Sequence, residues 1–446
     1  MTRLHAIVVS ACTAIACAAA AQPEVVVERA KVLVGDPVAV TVRGLEPGSL
    51  VVVGAERFSG RSNSWFRSQG VFRVDADGEV DPIGDESIEA PWDAGDPAGP
   101  FWTMESVGEQ STADSSRRPW RQIRFFVDAD ADGAADATAD VMLVDGRDDL
   151  IEISAEDLSQ GAFLMKPPGD AKLPVVIALG GSEGGDSAAR GIAPRLASRG
   201  FAVLGLPYYS PRDREGEQKF PELSAAFAAL PIDRLEAARD WLRKRDDVDG
   251  ERIGVWGVSK GGEFALAGAS RIDGFSAIVA YVPSDVIWQG WGTGWGGPQP
   301  SSFGWRGEPL PYVPYLGMGE EFAKGSRGQP VKIRLPHDAG RLAHPDRVEA
   351  ARIRVEDIDE PVMVVGGDAD EVWDSGHMVR NIAEAREAAG LETLLIVDRE
   401  AGHGLSGHAF TPLSEADARV RAEAFPAMIS FFRQHLGNES AAMPGR

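Results

Sequence analysis

Apolar and polar residues follow one pattern in the first third of the chain and another pattern in the remainder. From residue 24 to about 155, short apolar runs are separated by clusters of Gly, Pro and Asp, which is typical of β-strands joined by turns. Their spacing predicts an immunoglobulin-like antiparallel β-sandwich domain over residues 22–155. The predicted strands are Val25–Val27, Pro37–Val42, Leu50–Val53, Val71–Val74 and Ile123–Val127.

The second pattern begins near residue 156, where apolar strands alternate with helical stretches. This alternation is typical of a mostly parallel sheet with helices on both faces. We therefore predict an α/β domain over residues 156–437 and a flexible tail over residues 438–446. The predicted strands of the sheet are Pro174–Leu179, Phe201–Leu206, Arg252–Trp256, Ala277–Val282, Pro361–Val365 and Leu394–Val397.

The N-terminus has the composition of a signal peptide. Arg3 supplies a short positive region, Ile7–Ala20 is apolar and small, and an alanine triplet before Gln22 resembles a cleavage site. The apolar run is too short to span a bilayer comfortably. We therefore expect residues 1–21 to be removed and the mature chain to be exported, either periplasmic or extracellular. A lipid-modified Cys17 is an alternative.

Composition and charge narrow the classes of partner. The chain of 446 residues is 43% hydrophobic, which is enough to form the cores of two domains. Its formal net charge of −23 argues against nucleic acid and anionic membrane surfaces as partners, and we expect no membrane insertion of the mature chain. Because Cys12 and Cys17 both lie in the predicted signal peptide, we expect no disulfide, thiolate nucleophile or cysteine metal site in the mature chain. We predict no cofactor.

One acidic segment resembles the beginning of a calcium loop. Asp128, Asp130 and Asp132 alternate with alanines before Gly133, and carboxylates at this spacing can converge on a cation. The glutamate that ends such a loop is missing, however. We therefore favour an acidic hairpin tip or a domain linker, and we predict no metal site.

The pentapeptide Gly-x-Ser-x-Gly occurs twice, centred on Ser182 and Ser259. In a nucleophile elbow the serine occupies a strained strand-to-helix turn that only glycine neighbours permit. Both matches lie between a predicted strand and a predicted helix, but an oxyanion loop follows an early strand and the elbow comes two strands later. This order assigns Ser259 as the nucleophile, and it assigns the backbone N–H groups of Lys260 and Ser182 as oxyanion donors.

A serine nucleophile needs an imidazole to remove its proton and a carboxylate to hold that imidazole, in the chain order Ser, acid, His. The loop after the strand Pro361–Val365 contains Asp370, which we predict as the acid, and Asp368, the alternative. The loop after the last strand contains His403, which we predict as the base, and His408 is the alternative. Three other histidines are interpreted as surface residues, namely His337, His344 and His377.

The residues around Ser259 resemble one known family. Gly257–Glu263 has the sequence Gly-Val-Ser-Lys-Gly-Gly-Glu, which is similar to the elbow of the acyl-CoA thioester hydrolase and bile acid-CoA:amino acid N-acyltransferase family. The likeness extends over nearly all of the C-terminal domain, and shorter motifs occur in the N-terminal part. The further matching segments are Gly35–Val38, Gly99–Met104, Gly200–Tyr209, Asp370–Trp373 and Gly402-His403.

The resemblance implies an α/β-hydrolase fold preceded by a β-sandwich, with nucleophile, acid and base at Ser259, Asp370 and His403. Members of this family cleave or transfer acyl groups from CoA thioesters, and the conjugating members carry cysteine where this chain has Ser259. The resemblance therefore implies a serine hydrolase acting on a small-molecule acyl thioester or ester.

Two features leave the substrate open. Export would separate the chain from cytoplasmic CoA, and its acidic balance disfavours a polyphosphate ligand. The alternatives are a carboxylesterase or peptidase with a non-CoA substrate, an acyltransferase, and a non-catalytic binding protein on a hydrolase scaffold. A tryptophan-rich stretch predicts either a cap that lines an apolar acyl pocket or ordinary packing, and its residues are Trp288, Trp291, Trp295 and Trp305.

Overall fold

The computed structural model describes residues 22–59, 63–108, 121–293, 299–407 and 414–437. Several predictions concern residues outside these ranges, namely the signal peptide with both cysteines, Trp295, the alternative base His408 and the tail from residue 438. Among the helices within the described ranges, none combines the length and the apolar character that crossing a lipid bilayer requires.

The strands are β1 Glu24–Val27, β2 Lys31–Leu33, β3 Val40–Arg43, β4 Leu50–Ser59, β5 Ser64–Arg73, β6 Glu79–Val80, β7 Glu105–Gly108, β8 Gln122–Asp128, β9 Ala137–Val144, β10 Ile151–Ser154, β11 Phe163–Lys166, β12 Leu173–Leu179, β13 Ala202–Gly205, β14 Leu230–Pro231, β15 Val248–Val258, β16 Ala277–Tyr281, β17 Phe303–Trp305, β18 Glu308–Pro309, β19 Val362–Gly367 and β20 Thr393–Asp398. The helices are α1 Gly99–Trp102, α2 Ser187–Ala197, α3 Asp233–Arg243, α4 Lys260–Ala269, α5 Met318–Gly325, α6 Arg334–Ala343, α7 Pro345–Ala351, α8 Ser375–Ala388 and α9 Glu415–His435.

The chain folds into two compact units. Of the residues that the structure describes, the first comprises those up to Ala30 together with those within Val38–Pro100 and Met104–Val141. The second comprises Lys31–Pro37, Phe101–Thr103 and the described residues from Met142 onward.

The first unit is antiparallel β-structure, as the spacing of its apolar runs predicts. β4 pairs with β5, from Leu50 opposite Arg73 to Ser59 opposite Ser64, and it pairs on its other side with β8. β1, β3 and β6 form a separate three-stranded antiparallel sheet. Val51 and Val53 of β4 are buried while Val52 between them is partly exposed, which is the alternation expected when one face of a sheet covers a core.

The acidic segment Asp128–Asp136 connects β8 to β9, which are neighbours in their sheet. Carboxylate oxygens of Asp128, Asp130 and Asp136 lie within 4.8 Å of one another. The carboxylate of Asp132 instead accepts a backbone N–H within the same turn, and Asp128 accepts two further backbone N–H groups there. The segment is therefore a hairpin tip whose carboxylates hold its own backbone.

The second unit is built on an eight-stranded sheet with the strand order β10-β11-β13-β12-β15-β16-β19-β20. The six strands from β13 to β20 in this order are parallel to one another, whereas β11 is antiparallel to both β13 and β10. Val175, Ile177 and Leu179 of β12 belong to a core that includes residues of α3, α4 and α8. Val176 and Ala178 belong to a second core that includes residues of α2 and α9. The predicted sheet with helices on both faces is thereby confirmed.

The strands predicted from the apolar pattern do not include β10 and β11. β10 lies at the edge of the sheet, where Ile151 is exposed and acidic Glu152 follows, so the strand lacks the apolar run that marks a buried strand. Because β10 belongs to the eight-stranded sheet, the second unit begins before the predicted boundary between residues 155 and 156.

Candidate active site

Ser259 lies on a sharp turn between β15 and α4. Its φ of 55° and ψ of −121° are a strained combination for a residue with a side chain. The turn permits only glycine at positions 257 and 261, since a Cβ at Gly257 would lie 2.2 Å from the Gly261 carbonyl oxygen, and one at Gly261 would lie 2.3 Å from that of Gly180. Ser259 donates its own N–H to the Tyr281 carbonyl at 2.8 Å, which fixes the turn against β16.

The loops after β19 and β20 reach the same edge of the sheet as this turn. Because parallel strands present their carboxyl ends at one edge, residues far along the chain meet Ser259 there. Nε2 of His403 is 3.1 Å from Oγ of Ser259, and Nδ1 of His403 is 2.9 Å from Oδ2 of Asp370. A carboxylate accepts from Nδ1, so Nε2 is left to accept the serine proton. The exposed fractions are 7% for Ser259, 3% for His403 and 0% for Asp370.

The backbone holds the Asp370 carboxylate in place. Its Oδ1 accepts the N–H groups of Val372 at 2.8 Å and Trp373 at 3.2 Å. Asp368, the alternative acid, instead forms two hydrogen bonds with Arg380, and these lower the pKa of the Asp368 carboxyl. The structure therefore brings Asp370 rather than Asp368 to the imidazole.

Opposing effects act on the pKa of His403. Burial disfavours the charged imidazole and lowers the pKa, whereas the charge and the hydrogen bond of Asp370 raise it, with further contributions from Glu371 and Asp417. The net result is a pKa above the usual 6.5. The imidazole therefore takes up a proton more readily than a free histidine does.

Two carboxylates that the sequence interpretation did not include hold the histidine loop. Oε2 of Glu371 accepts the N–H of His403 at 3.0 Å, and Oδ1 of Asp417 accepts the N–H of Gly402 at 2.7 Å. Asp417 is also part of a capping box with Ser414 at the start of α9. The pattern Ser-x-x-Asp before a helix is a sequence signal for such a cap, although it does not indicate the contact with Gly402.

The predicted oxyanion donors lie near Ser259: Lys260 is the next residue of the chain, and Ser182 belongs to a neighbouring loop. Lys260 is the first residue of α4, where backbone N–H groups have no partner within the helix. A Cβ at Gly181 would lie 3.2 Å from Cβ of Ser259, so the loop that contains Ser182 runs alongside it. The N–H of Gly181 donates to Oε1 of Glu183 at 2.9 Å, which keeps Ser182 as this loop's candidate donor.

A buried ion pair lies in the first turn of α4. The Nζ atom of Lys260 is 2.6 Å from Oε2 of Glu263, and the two residues are 2% and 0% exposed. The sequence interpretation assigned a role only to the backbone of Lys260. Spacing by three residues on a helix signals that these side chains can meet, but not that they are buried.

The interpretation of His337 as a surface residue is wrong. The residue is 3% exposed, and its ring packs edge-on against Trp288, Tyr315 and Trp373 at centroid distances of 4.6, 4.8 and 5.7 Å. Its Nδ1–H donates to the Ile333 carbonyl at 2.8 Å. Burial lowers the pKa of His337 to about 4. The apolar partners come from distant segments, so the chain pattern around His337 does not reveal them.

The tryptophans of the insertion, which we define as residues 282–361 between β16 and β19, contribute to packing. Trp288 is fully buried, and Trp291 stacks on Phe227 with centroids 4.2 Å apart. Trp305 is partly buried against the core on the α3 and α4 side of the sheet. These contacts favour the packing interpretation for the three tryptophans within the described residues.

This unit has the fold of an α/β hydrolase. Three features define it: the mostly parallel sheet, the strained turn at Ser259, and the chain order of Ser259, Asp370 and His403. The family model of the acyl-CoA thioester hydrolase/BAAT N-terminal region matches residues 35–138, and that of the BAAT/acyl-CoA thioester hydrolase C terminal matches residues 230–421. Together they span about two thirds of the sequence. The chain therefore belongs to the acyl-CoA thioester hydrolase/BAAT family, and it is a hydrolase. The dienelactone hydrolase family model also matches residues 161–290.

Individual relatives match over most of their length. Acyl-coenzyme A thioesterase 1 of Rattus norvegicus is 26% identical over 438 residues, which cover 91% of this chain and 94% of the rat protein. Acyl-coenzyme A thioesterase 2, mitochondrial, of Homo sapiens is 24% identical over 436 residues, which cover 92% and 84% of the two chains. Among solved structures, an esterase of Pyrococcus furiosus is 16% identical with a TM-score of 0.39, covering 62% of this chain and 86% of the esterase.

Proposed function

We propose that this chain is a serine hydrolase that cleaves acyl thioesters or esters through an acyl-enzyme intermediate on Ser259. The observation that supports this most strongly is the row of hydrogen bonds from Ser259 through His403 to Asp370, at 3.1 and 2.9 Å. A serine hydroxyl becomes an effective nucleophile only when a positioned base takes its proton during the attack. His403 has the position and the raised pKa that such a base requires.

In the first half of the proposed reaction, Oγ of Ser259 attacks the acyl carbonyl carbon while Nε2 of His403 takes the hydroxyl proton. Asp370 holds the imidazole in the reactive tautomer and stabilises its positive charge. The backbone N–H groups of Lys260 and Ser182 stabilise the oxyanion of the tetrahedral intermediate. The bond to the leaving group then breaks, the leaving thiol or alcohol takes the proton from His403, and an ester remains on Ser259.

In the second half, His403 takes a proton from water as the water oxygen adds to the ester carbonyl on Ser259. The second tetrahedral intermediate breaks its bond to Oγ, which recovers its proton from the imidazolium. The carboxylic acid leaves, and the enzyme returns to its starting state. The net change is the addition of one water molecule across the acyl bond.

Two candidate substrates differ in their leaving group, which is CoA in one and another alcohol, thiol or amine in the other. The names of the relatives, acyl-coenzyme A thioesterases, support a CoA thioester. The net charge of −23 and the expected export favour the second candidate, a carboxylesterase or peptidase with a non-CoA substrate. A panel with one acyl chain on CoA, on N-acetylcysteamine, on p-nitrophenol and on a peptide amine distinguishes them. A kcat/KM about tenfold higher for the CoA thioester than for the N-acetylcysteamine thioester would support CoA recognition.

Covalent labelling tests the nucleophile itself. A fluorophosphonate probe reacts with a serine that an adjacent base activates. We expect the purified wild type to be labelled and the variant Ser259→Ala not to be labelled. The matched control is Ser182→Ala, which removes a serine hydroxyl from the other Gly-x-Ser-x-Gly motif and keeps its backbone N–H. Labelling of Ser259→Ala would contradict the proposal, because another residue would then be the nucleophile. A folded wild type that resists the probe while it still binds ligand would also contradict it and would favour a binding protein.

Export is a separate proposal, and it rests on the composition of residues 1–21. We propose that the mature chain begins at Gln22 and works outside the cytoplasm. Expression of the full-length chain followed by cell fractionation and N-terminal sequencing tests this. A mature cytoplasmic protein that retains Arg3 would contradict export. A lipid on Cys17 would support the alternative of an exported lipoprotein.

A further inference from the structure

The proposed chemistry uses the backbone of Lys260, but the side chain of this residue also forms specific contacts. The Lys260 side chain is buried, as is that of Glu263 one helical turn later, with which it forms an ion pair. Burial lowers the pKa of Lys260 and raises that of Glu263, and each partner opposes the shift of the other. Removing two charges from water is unfavourable, and an apolar pair of similar volume would avoid this penalty. The pair therefore provides something other than filled space, namely directed hydrogen bonds.

Those hydrogen bonds form a closed ring with the insertion that follows β16. Nζ of Lys260 donates to Oγ of Ser302 at 3.0 Å, and this hydroxyl donates to the Trp288 carbonyl at 2.7 Å. The N–H of Trp288 donates to Oε1 of Glu263 at 3.2 Å. Ser302 also donates its N–H to the Trp288 carbonyl at 3.0 Å. Two segments of the insertion are thereby bonded to the first turn of the helix that carries the nucleophile.

Aromatic rings enclose the ammonium group. Nζ of Lys260 lies 4.9 Å from the ring centre of Phe303 and 5.3 Å from that of Phe227. A cation over an aromatic face is attracted by the ring, and more strongly when water is excluded. These contacts leave the lysine little freedom, so its direction along the first turn of α4 is fixed.

Trp288 connects this ring of hydrogen bonds to the catalytic base. Its indole packs against His337 at 4.6 Å, and His337 packs against Trp373 at 5.7 Å. Trp373 in turn packs edge-on against His403 at 5.6 Å. Each ring in this series therefore packs against the next one, and this packing limits how far either ring can move. A displacement of Trp288 would therefore change the packing that orients His403.

We propose that Lys260 and Glu263 are positioning residues for the hydrolysis. Their ion pair holds Trp288 in place, and Trp288 supports the aromatic rings that pack against His403. The same pair fixes the first turn of α4 and so orients the N–H of Lys260 toward the oxyanion. This inference rests on the proposed function. Neither side chain touches the reacting atoms. The pair acts through Trp288 on the base and through the helix turn on the oxyanion donor.

The test uses isosteric variants and measures kcat, KM and thermal stability with p-nitrophenyl butyrate. Lys260→Met and Glu263→Gln each leave a buried partner without its ion pair, so we expect kcat to fall about tenfold or more, with a smaller change in KM and a lower Tm. The double variant Lys260→Met/Glu263→Met removes both charges, so we expect its Tm to recover. If the pair positions the site, kcat of the double variant stays low.

Two further variants keep the test informative if the single variants fold poorly. Ser302→Ala removes the hydroxyl that links Lys260 to the Trp288 carbonyl, and it leaves the ion pair in place. We expect a loss in kcat of about threefold or more at nearly normal Tm. Lys166→Met is the matched control, since Lys166 is a buried lysine that donates to the Asp247 carbonyl at 2.9 Å in another part of the same unit. It should lower Tm and leave kcat unchanged.

The outcomes separate this inference from the proposed function. Recovery of both kcat and Tm in the double variant would overturn the positioning role, because the pair would then be structural only, and labelling of Ser259 would remain as proposed. A low kcat with a recovered Tm, together with reduced kcat in Ser302→Ala, would support it. A wild type that neither turns over the ester nor reacts with the fluorophosphonate would overturn the proposed function and this inference with it.

Discussion

His403 and His337 are equally buried, each with 3% of its surface exposed, and the ring of Trp373 packs against both of them. Their pKa values nevertheless move in opposite directions. Burial lowers the pKa of His337 to about 4, whereas at His403 the charge and hydrogen bond of Asp370 outweigh the same burial and raise the pKa. Burial thus disfavours the protonated imidazole and lowers its pKa, whereas a carboxylate partner stabilises the protonated form and raises the pKa.

This difference gives the two rings different chemistry. His403 can hold a proton, because Asp370 stabilises the imidazolium. His337 has the Ile333 carbonyl as its partner, which accepts from Nδ1 but carries no full charge. A neutral ring packs among Trp288 and Tyr315 without the penalty of burying a charge. One histidine is therefore suited to proton transfer and the other to packing.

The largest effect expected from this comparison concerns activity. His403→Gln removes the proposed base, so we expect kcat for p-nitrophenyl butyrate to fall about 10⁴-fold. His337→Gln removes a packing residue, and we expect a loss of about tenfold or less. Both variants keep a side chain of similar size that can form hydrogen bonds. Equal losses in the two variants would contradict the division of roles.

The carboxylate partner accounts for the next effect. Asp370→Asn keeps the shape of the side chain, but it removes the charge that stabilises the imidazolium and permits the wrong tautomer. We expect kcat to fall about 10³-fold, with the His403 pKa shifted to a lower value because the charge of Asp370 no longer opposes the effect of burial. Asp368→Asn is the matched control, since Asp368 pairs with Arg380, and its kcat should remain close to that of the wild type. A larger loss in Asp368→Asn would reverse the assignment of the acid.

His337 makes folding stability depend on pH. Its folded pKa of about 4 lies below the unfolded value of 6.5, so the unfolded chain binds the proton first as the pH falls. Its contribution is complete above pH 6.5 and is lost progressively between pH 6.5 and about 4, amounting to about 3 kcal/mol in all. Urea unfolding at pH 7.5 and pH 5 measures this for the wild type and for His337→Gln. The wild type should lose more stability than the variant, and identical losses would show that His337 does not titrate as inferred.

The smallest effect is on the pH dependence of the reaction. His403 must be neutral to accept the serine proton, and its pKa lies above 6.5, so kcat/KM should fall with decreasing pH at a midpoint above 6.5. In Asp370→Asn the midpoint should move to lower pH. Rates of ester hydrolysis from pH 5 to 9 provide both values. A wild-type midpoint below 6.5 would contradict the influence assigned to Asp370.

The sequence predicts the positions of Ser259, Asp370 and His403 because the chemistry of the fold constrains their order. Each follows a strand of a parallel sheet, and such strands bring their carboxyl ends to one edge. Apolar runs locate these strands, and the glycines at 257 and 261 mark the turn that has no room for a Cβ. The spacing within the Asp368-Ala369-Asp370 loop does not by itself determine which carboxylate faces the imidazole.

Contacts between distant segments explain what the sequence does not predict. Lys260 and Glu263 are charged residues on a helix, and such residues usually face water. Their burial depends on Ser302 and Trp288 from the insertion, which lie far away along the chain. His337 is hidden by aromatic residues of three separate segments. A local pattern of apolar and polar residues carries no information about such partners.

Acylation of Ser259 is tested most directly by trapping the intermediate. The enzyme is mixed with p-nitrophenyl butyrate, quenched in acid within the burst phase and digested for mass spectrometry. We expect a butyryl group on the peptide that contains Ser259, together with rapid release of about one equivalent of p-nitrophenol per active site. A butyryl group on another residue, or steady turnover of the wild type with no burst and no acylated peptide, would contradict the proposed mechanism.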